Sequence, residues 1–141
     1  MMNLKVSTIM NPAPQVTDPT KNLRELSYEM LNAGVQQLPV VDDGKLVGIL
    51  TTYDMWKQYE HKTSVEGLTV GEVMNTSIVK IGPNDKIGTA AELFADGRFK
   101  TIPVVTEANE LKGTITAFDI IKKVFNKEYS TAILYEKKFA E

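Results

Sequence analysis

The 141-residue chain contains no cysteine and a single histidine. Without thiols it can form neither a disulfide framework nor a thiolate zinc site, and the absence is compatible with a reducing compartment. The histidine, His61, stands between two charged residues in a polar stretch, which favours a solvent-exposed position over a catalytic or metal-binding one. Walker-type glycine loops and Gly-x-Ser-x-Gly elbows are also missing. These absences predict a protein that is not an enzyme and holds no metal ion.

The chain also lacks a strong charge imbalance and any long hydrophobic run. Its formal net charge is −2 at pH 7 and its lysines are scattered, so nothing in the overall charge favours nucleic acid. No apolar run approaches the roughly 18 residues of a membrane-spanning helix, and the N-terminus lacks the apolar stretch of a signal peptide. We therefore expect a soluble, cytoplasmic protein with no membrane partner.

What the sequence does contain is an internal repeat. Three motifs recur in the same order: Thr8-Ile-Met-Asn11 as Glu72-Val-Met-Asn75, Leu38-Pro-Val-Val41 as Ile102-Pro-Val-Val105, and Gly48-Ile-Leu-Thr-Thr-Tyr-Asp54 as Gly113-Thr-Ile-Thr-Ala-Phe-Asp119. The offset is 64 residues for the first two motifs and 65 for the third, so the second copy carries one extra residue near Ala108. Each copy is too short to bury a core alone, and we expect the copies to pack face to face with a site at the seam.

Each copy predicts the order strand, helix, strand, strand, helix. The predicted extended segments and strands are Pro14–Thr17, Val35–Val41 and Leu46–Leu50 in the first copy, and Ile78–Ile81, Phe99–Val105 and Leu111–Ile115 in the second. The predicted helices begin near Asn22, Thr51, Lys86 and Thr116. The Asp42-Asp43-Gly44 sequence between two apolar runs indicates a hairpin turn. The sequence thus predicts an α+β protein with repeat 1 at residues 1–60, a connector at 61–68, repeat 2 at 69–126 and an amphipathic tail at 127–141 that covers the body or binds a partner.

The ordered motifs, present twice, resemble a tandem pair of cystathionine-β-synthase-type (CBS) domains, also called a Bateman module. The resemblance covers roughly residues 3–126. It implies two βαββα repeats packed through their sheets with pseudo-twofold symmetry. It also implies clefts between the repeats that bind AMP, ADP, ATP or S-adenosylmethionine, with or without Mg²⁺. Such pairs commonly form homodimers and act as sensors, which here implies an effector protein acting in trans.

The repeated Thr-x-x-Asp places a carboxylate at the start of a helix in each copy. An ionised carboxylate can accept hydrogen bonds from both vicinal hydroxyls of a ribose, which makes Asp54 and Asp119 candidate ribose ligands. Thr51 and Thr116 lie one turn earlier, next to free backbone N–H groups that favour phosphate oxygens. The alternative is a capping box, in which threonine and aspartate only stabilise the helix start. The recurrence at the same place in both copies favours ligand binding.

The resemblance supplies the remaining site residues. The pocket of Asp54 would use Ile49 and Thr51, faced by Ser77, Ile78, Lys80, Phe99, Lys100 and Thr101. The pocket of Asp119 would use Thr114 and Thr116, faced by Ala13, Pro14, Val16, Val35, Gln36 and Gln37. Only the first set contains lysines, so we predict that the Asp54 pocket prefers a phosphorylated adenine nucleotide and that the Asp119 pocket takes a less anionic adenosyl ligand or stays empty. The family often has Thr or Ser where Val16 and Lys80 stand, and Arg or His where the two glutamines stand.

Two further functions remain open at this point. One is a structural or interaction scaffold with vestigial pockets, and the other is a nucleic-acid binder, against which the acidic balance argues. A homodimer is expected from the family resemblance and from four apolar helix residues interpreted as exposed: Tyr28, Met30, Met55 and Trp56. An isologous contact is the usual symmetry of such a dimer.

Overall fold

The computed structural model describes residues 2–61, 65–97 and 99–128. It contains the 3-10 helix Val6–Thr8, the helices α1 (Leu23–Ala33), α2 (Thr52–His61), α3 (Val70–Val73), α4 (Ile87–Ala95) and α5 (Ala117–Glu128), and the strands β1 (Gln37–Asp42), β2 (Lys45–Thr51), β3 (Thr101–Val105) and β4 (Leu111–Thr116). None of the helices in these described ranges combines the length and the apolar character that a membrane span requires. The predicted α+β fold class is confirmed.

Two antiparallel hairpins form the centre of the protein, β1 with β2 and β3 with β4. Asp43 and Gly44 have φ angles of 51° and 78°, as the two central residues of a type I′ hairpin turn require. The second hairpin has a longer loop, in which Asn109 takes a φ of 66°. The extra residue of the second copy is therefore accommodated in a loop, as predicted.

The first predicted strand of each copy is reduced to a single parallel bridge. Thr17 bridges Val40, and Ile81 bridges Val104. Pro19 follows the first bridge two residues later and lacks the N–H that would extend the ladder. These bridges still bring each extended segment alongside its hairpin.

The two copies exchange their first segments. Val6 is fully buried in the core of the second copy, and Val70 is fully buried in the core of the first. The backbone of Asn11 pairs with that of Thr114 through hydrogen bonds of 2.8 and 3.0 Å. The corresponding Asn75 pairs with Ile49 at 2.8 and 2.9 Å. The Met-Asn motif of each copy thus forms backbone hydrogen bonds with the hairpin of the other copy. These bonds hold the two copies together at the seam between them.

Helix α1 has both ends specified locally. The Asn22 side chain accepts a hydrogen bond from the backbone N–H of Glu25 at 3.0 Å, and Gly34 ends the helix in the left-handed region with a φ of 67°. Its neighbouring turn is held by Asp18, whose Oδ1 accepts hydrogen bonds from the backbone and hydroxyl of Thr20. These bonds, the side-chain one first, lower the pKa of Asp18 below its usual value of 3.8.

Two expectations about exposure need correction. Met30 and Met55 are buried, at 2% and 5% exposed, because the apolar faces of α1 and α2 pack them into the first core. Tyr28 and Trp56 are exposed as expected, at 56% and 55%. His61 is exposed and ends α2. The predicted tail begins inside α5, and its residues 129–141 lie outside the described part of the chain.

Candidate functional site

A reciprocal capping box opens α2. The Asp54 backbone N–H donates to Thr51 Oγ1 at 3.0 Å. In return, Asp54 Oδ2 accepts hydrogen bonds from the Thr51 hydroxyl at 2.9 Å and from the Thr51 backbone N–H at 3.3 Å. The capping geometry considered from sequence is therefore present, and it occupies one oxygen of the carboxylate. The other carboxylate oxygen, Oδ1, takes no part in the capping box.

The same box opens α5. The Asp119 backbone N–H donates to Thr116 Oγ1 at 3.1 Å, and Asp119 Oδ2 accepts from the Thr116 N–H at 2.8 Å. Capping and ligand binding are compatible, because a carboxylate has about four acceptor positions and the box uses those of one oxygen. Each repeat thus presents one rigidly held carboxylate at a helix start.

Asp54 lies in a cleft of about 520 Å³ that both repeats build. Ile49, Ile78 and Phe99 are half-buried apolar residues of its wall. The full lining is Gln36, Gln37, Ile49, Thr51, Thr52, Tyr53, Asp54, Lys57, Asn75, Ser77, Ile78, Val79, Phe99, Lys100 and Thr101. Eight of the nine residues predicted for this pocket from the resemblance line it; these are Ile49, Thr51, Asp54, Ser77, Ile78, Phe99, Lys100 and Thr101. The ninth, Lys80, does not.

Lys80 points to the second hairpin loop instead. Its Nζ donates to Asn109 Oδ1 at 2.7 Å, and the Asn109 amide also donates to the Leu46 carbonyl at 2.6 Å. The loop thus supplies a partner for Lys80 away from the cleft. The prediction that Lys80 and Lys100 both line the cleft is therefore wrong for Lys80. The two lysines that line the cleft are Lys57 and Lys100.

Lys57 is the most informative residue that sequence reasoning missed. Its Nζ lies 3.6 Å from Asp54 Oδ1 and 4.9 Å from the centre of the Tyr53 ring. Tyr53 in turn stacks on Trp56 with ring centres 5.9 Å apart. A signal was available, because residues three apart on a helix are neighbours and Lys57 follows Asp54 by three. The other missed lining residues are Thr52, Tyr53, Asn75 and Val79.

The two asparagines of the exchanged segments orient the neighbouring backbone. Asn75 Oδ1 accepts from the Ser77 N–H at 2.9 Å, which turns the chain toward the Asp54 cleft. Asn11 Oδ1 accepts from the Ala13 N–H at 3.1 Å in the other repeat, where Pro14 follows. Thr114, 6% exposed, is held by its backbone pairing with Asn11. The Asp119 side therefore repeats the scaffold of the Asp54 cleft.

Several residues predicted for the Asp119 pocket lie elsewhere or are shared. Gln36 and Gln37 line the Asp54 cleft, and Gln37 Nε2 lies 3.5 Å from the Thr101 carbonyl across the seam. Val16 and Val35 line a separate cavity of about 160 Å³ beside α1. Among the described residues, no group of three or more His, Cys, Asp or Glu side chains is placed to hold a metal ion.

Comparison with known proteins gives concordant matches. A family model described as CBS domain matches residues 6–55 and 70–126. Uncharacterized protein MJ1404 of Methanocaldococcus jannaschii is 33% identical over 122 residues, covering 86% of this chain and 29% of that protein. The CBS domain-containing protein YhcV of Bacillus subtilis is 27% identical and covers 91% of both chains. A crystal structure of CBSX2 in complex with AMP is 25% identical with a TM-score of 0.77, covering 89% of this chain and 98% of that chain.

The lengths of the matched proteins differ from that of this chain. The chain spans between 23% and 42% of the first five curated relatives that it matches. It spans nearly all of YhcV and of CBSX2. The two repeats are therefore found both alone and within longer proteins.

Proposed function

Since this chain belongs to the CBS domain family, we propose that it is a regulatory module that senses a phosphorylated adenine nucleotide of the AMP type in the Asp54 cleft. The observation that carries this proposal is the composition of that single cleft. It combines a carboxylate held at a helix start, apolar walls from both repeats, and two lysines. AMP is the ligand in the CBSX2 structure, which shares this fold over nearly its whole length.

Asp54 is the proposed ribose ligand. Its side chain is 14% exposed, so a hydrogen bond to it forms in a partly desolvated place. Oδ2 accepts the hydrogen bonds of the capping box, and Oδ1 lies 3.6 Å from Lys57 Nζ. The two adjacent ribose hydroxyls would approach Oδ1, which has two acceptor positions, because Oδ2 already accepts two hydrogen bonds from Thr51.

The adenine ring is proposed to lie between the apolar residues of the wall. Ile49 comes from the first repeat, whereas Ile78 and Phe99 come from the second. A flat heterocycle gains most from burial between such side chains, and contact with the Phe99 side chain is part of the proposal. Ser77, Ile78 and Val79 line the same cleft, and backbone groups of this stretch are the proposed polar partners for the ring edge.

The phosphate is proposed to lie near Lys57 and Lys100. Lys100 forms no ion pair among the described residues, so a ligand anion would be its first partner. A lysine ammonium binds phosphate as a point charge and needs no fixed geometry. In the sequence the position of the first repeat that corresponds to Lys100 holds the uncharged Gln36, which supports the expectation of a less anionic adenosyl ligand, or none, at the Asp119 side.

Signalling would depend on the fact that the lining residues come from both repeats. Because Asp54 and Phe99 belong to different repeats, a bound nucleotide joins them across the seam. Such a ligand shifts the protein toward the state that binds it better, and the population shift can alter a surface seen by an effector protein in trans. The proposed role is binding and regulation, with no catalytic step assigned to any residue.

Calorimetric titration with AMP, ADP, ATP and S-adenosylmethionine, each with and without Mg²⁺, tests the proposal. Asp54→Asn should weaken AMP binding about 10- to 100-fold, since a hydrogen bond to a charged group contributes about 1.5–3 kcal/mol. The matched control is Asp119→Asn, the same change in the same capping box of the other repeat, which should leave AMP binding at the first cleft intact. Loss of AMP binding in Asp119→Asn alone would refute the assignment.

A dimeric interaction scaffold is the second candidate, and an exposed aromatic groove favours it. The groove lies between α1 and α2, has a volume of about 660 Å³, and includes Tyr28, Trp56 and Tyr59. Side chains of this kind are enriched where proteins associate. A stable homodimer whose thermal stability is unchanged by every nucleotide would support the scaffold against the sensor.

A further inference from the structure

Resting on the proposed function, we infer that Lys57 makes the Asp54 cleft select a phosphorylated nucleotide over the uncharged nucleoside. Lys57 is thereby a specificity-determining residue that acts from the first repeat. It contacts the same carboxylate that is proposed to bind the ribose. The argument follows from where its ammonium group lies and from what competes with it.

The Lys57 ammonium is held on two sides. It lies 3.6 Å from Asp54 Oδ1 and 4.9 Å from the Tyr53 ring centre. Tyr53 in turn stacks on Trp56 at an interplanar angle of 23°. The Lys57 side chain remains 43% exposed, which leaves it free to exchange one anion for another. The Lys57 ammonium at the edge of the cleft can therefore move from Asp54 to the anion of a ligand.

The ribose and Lys57 compete for one oxygen. Asp54 Oδ2 already accepts two hydrogen bonds from Thr51, so a ribose hydroxyl that needs the less occupied oxygen must approach Oδ1. Lys57 lies there in the free protein. Binding of a neutral nucleoside therefore weakens the Lys57–Asp54 ion pair and gives the lysine no new anionic partner. A nucleotide differs, because its phosphate gives the ammonium a new counter-ion.

The net charge of the lining residues also favours a phosphorylated ligand. Lys57 and Lys100 bring two positive charges and Asp54 one negative charge among the lining residues, which leaves the cleft with an excess of one positive charge. A nucleoside monophosphate carries a compensating negative charge, whereas adenosine does not. Removal of Lys57 leaves the lining residues with no net charge and frees Oδ1 for ribose.

The second repeat provides an internal comparison. Lys122 stands three residues after Asp119, as Lys57 does after Asp54, yet it forms no ion pair among the described residues. Phe118 replaces Tyr53 there, and Ile121 replaces Trp56. The held ammonium is thus specific to the first cleft, and Lys122 offers a matched control position.

The test measures dissociation constants of adenosine and AMP by calorimetry at one fixed ionic strength. The proteins are the wild type, Lys57→Gln, Lys57→Arg and Lys122→Gln, and the readout is the ratio of the adenosine constant to the AMP constant. In Lys57→Gln we expect AMP to bind about 3- to 10-fold more weakly and adenosine to bind equally well or slightly more tightly. The ratio should fall by about 3- to 10-fold, or slightly more if adenosine binds more tightly, while Lys57→Arg and Lys122→Gln should keep the wild-type ratio.

Several outcomes would overturn the inference. An unchanged ratio in Lys57→Gln, in a protein whose wild type binds AMP, refutes the role of Lys57 and leaves the proposed function standing. Equal weakening of both ligands also refutes it, because that result assigns Lys57 to holding Asp54 in place. A wild type that binds neither ligand overturns the proposed function and this inference together.

Discussion

Replacing Gly113 by alanine should destabilise the protein more than the same change at Gly48, although the two glycines occupy the same place in the two repeats. A methyl group at Gly113 would lie 2.4 Å from the Asn11 carbonyl oxygen and 2.9 Å from Met10 Sδ. At Gly48 the nearest atoms belong to the flexible side chain of Met74, at 2.4 and 2.8 Å, and the Asn75 carbonyl oxygen lies at 3.2 Å. A side chain can rotate away, whereas backbone must shift.

The magnitude follows from what the shift breaks. Overpacking of a core typically costs about 1–3 kcal/mol, and the two Asn11–Thr114 backbone hydrogen bonds contribute about 0.5–1.5 kcal/mol each. We expect a loss of about 3 kcal/mol for Gly113→Ala and about 1–2 kcal/mol for Gly48→Ala. At roughly 2–4 °C per kcal/mol, the melting temperature should fall by about 6–12 °C and about 2–8 °C respectively.

Thermal and urea unfolding of the two variants measure these losses. The control is Gly88→Ala, since its added methyl group would meet the Met2 residue only at ordinary contact distances of 3.4 and 3.5 Å. Alanine is favoured in a helix by up to about 1 kcal/mol, so this variant should be as stable as the wild type or more stable. Equal stability of Gly113→Ala and wild type would refute the claim that the exchanged segment approaches β4 closely.

Three other predictions concern the fold. Val6→Ala should lower the free energy of unfolding by about 1–3 kcal/mol, because Val6 is fully buried in the second core, whereas the same change at Val16, 47% exposed, should cost little in a urea titration. Asn109→Ala should cost about 2 kcal/mol, since it removes two side-chain hydrogen bonds at a residue with positive φ, and Asn109→Gly should cost less in the same assay. NMR titration should place the pKa of Asp18 below 3.8, so its stabilising contribution is present above pH 3.8 and is lost as the pH falls through the folded-state pKa; Thr20→Ala should return that pKa toward 3.8.

Much of the fold can be predicted from the sequence because the relevant signals are local. The Asp43-Gly44 turn needs two positive φ angles that few residue types tolerate, and the structure has them. The start of α1 follows from Asn22 in the same way. The repeat itself predicts two like units and therefore a seam. The recurrent Thr-x-x-Asp places a carboxylate at the start of the second helix of each copy.

The site is predictable to a lesser degree. Eight of nine predicted residues line the Asp54 cleft, because the order of motifs carries their positions from a resembling family. Lys80 does not line it, since the direction of a long side chain depends on partners outside its own segment, and Asn109 is such a partner. Lys57 lines the cleft beside Asp54 because residues three apart on a helix are neighbours. The same spacing recurs in Asp119 and Lys122, which form no ion pair among the described residues, so the pattern alone does not predict the contact.

The sequence by itself determined the two copies, their hairpin turns, their helix starts and the pair of carboxylates, since each depends on residues close together in the chain. Only the tertiary structure decided that Val6 belongs to the second core and Val70 to the first. It also decided that Met30 and Met55 face inward and which lysines share the cleft. Burial and side-chain direction depend on groups far apart in sequence, and a pattern read along one chain does not contain the distances between them.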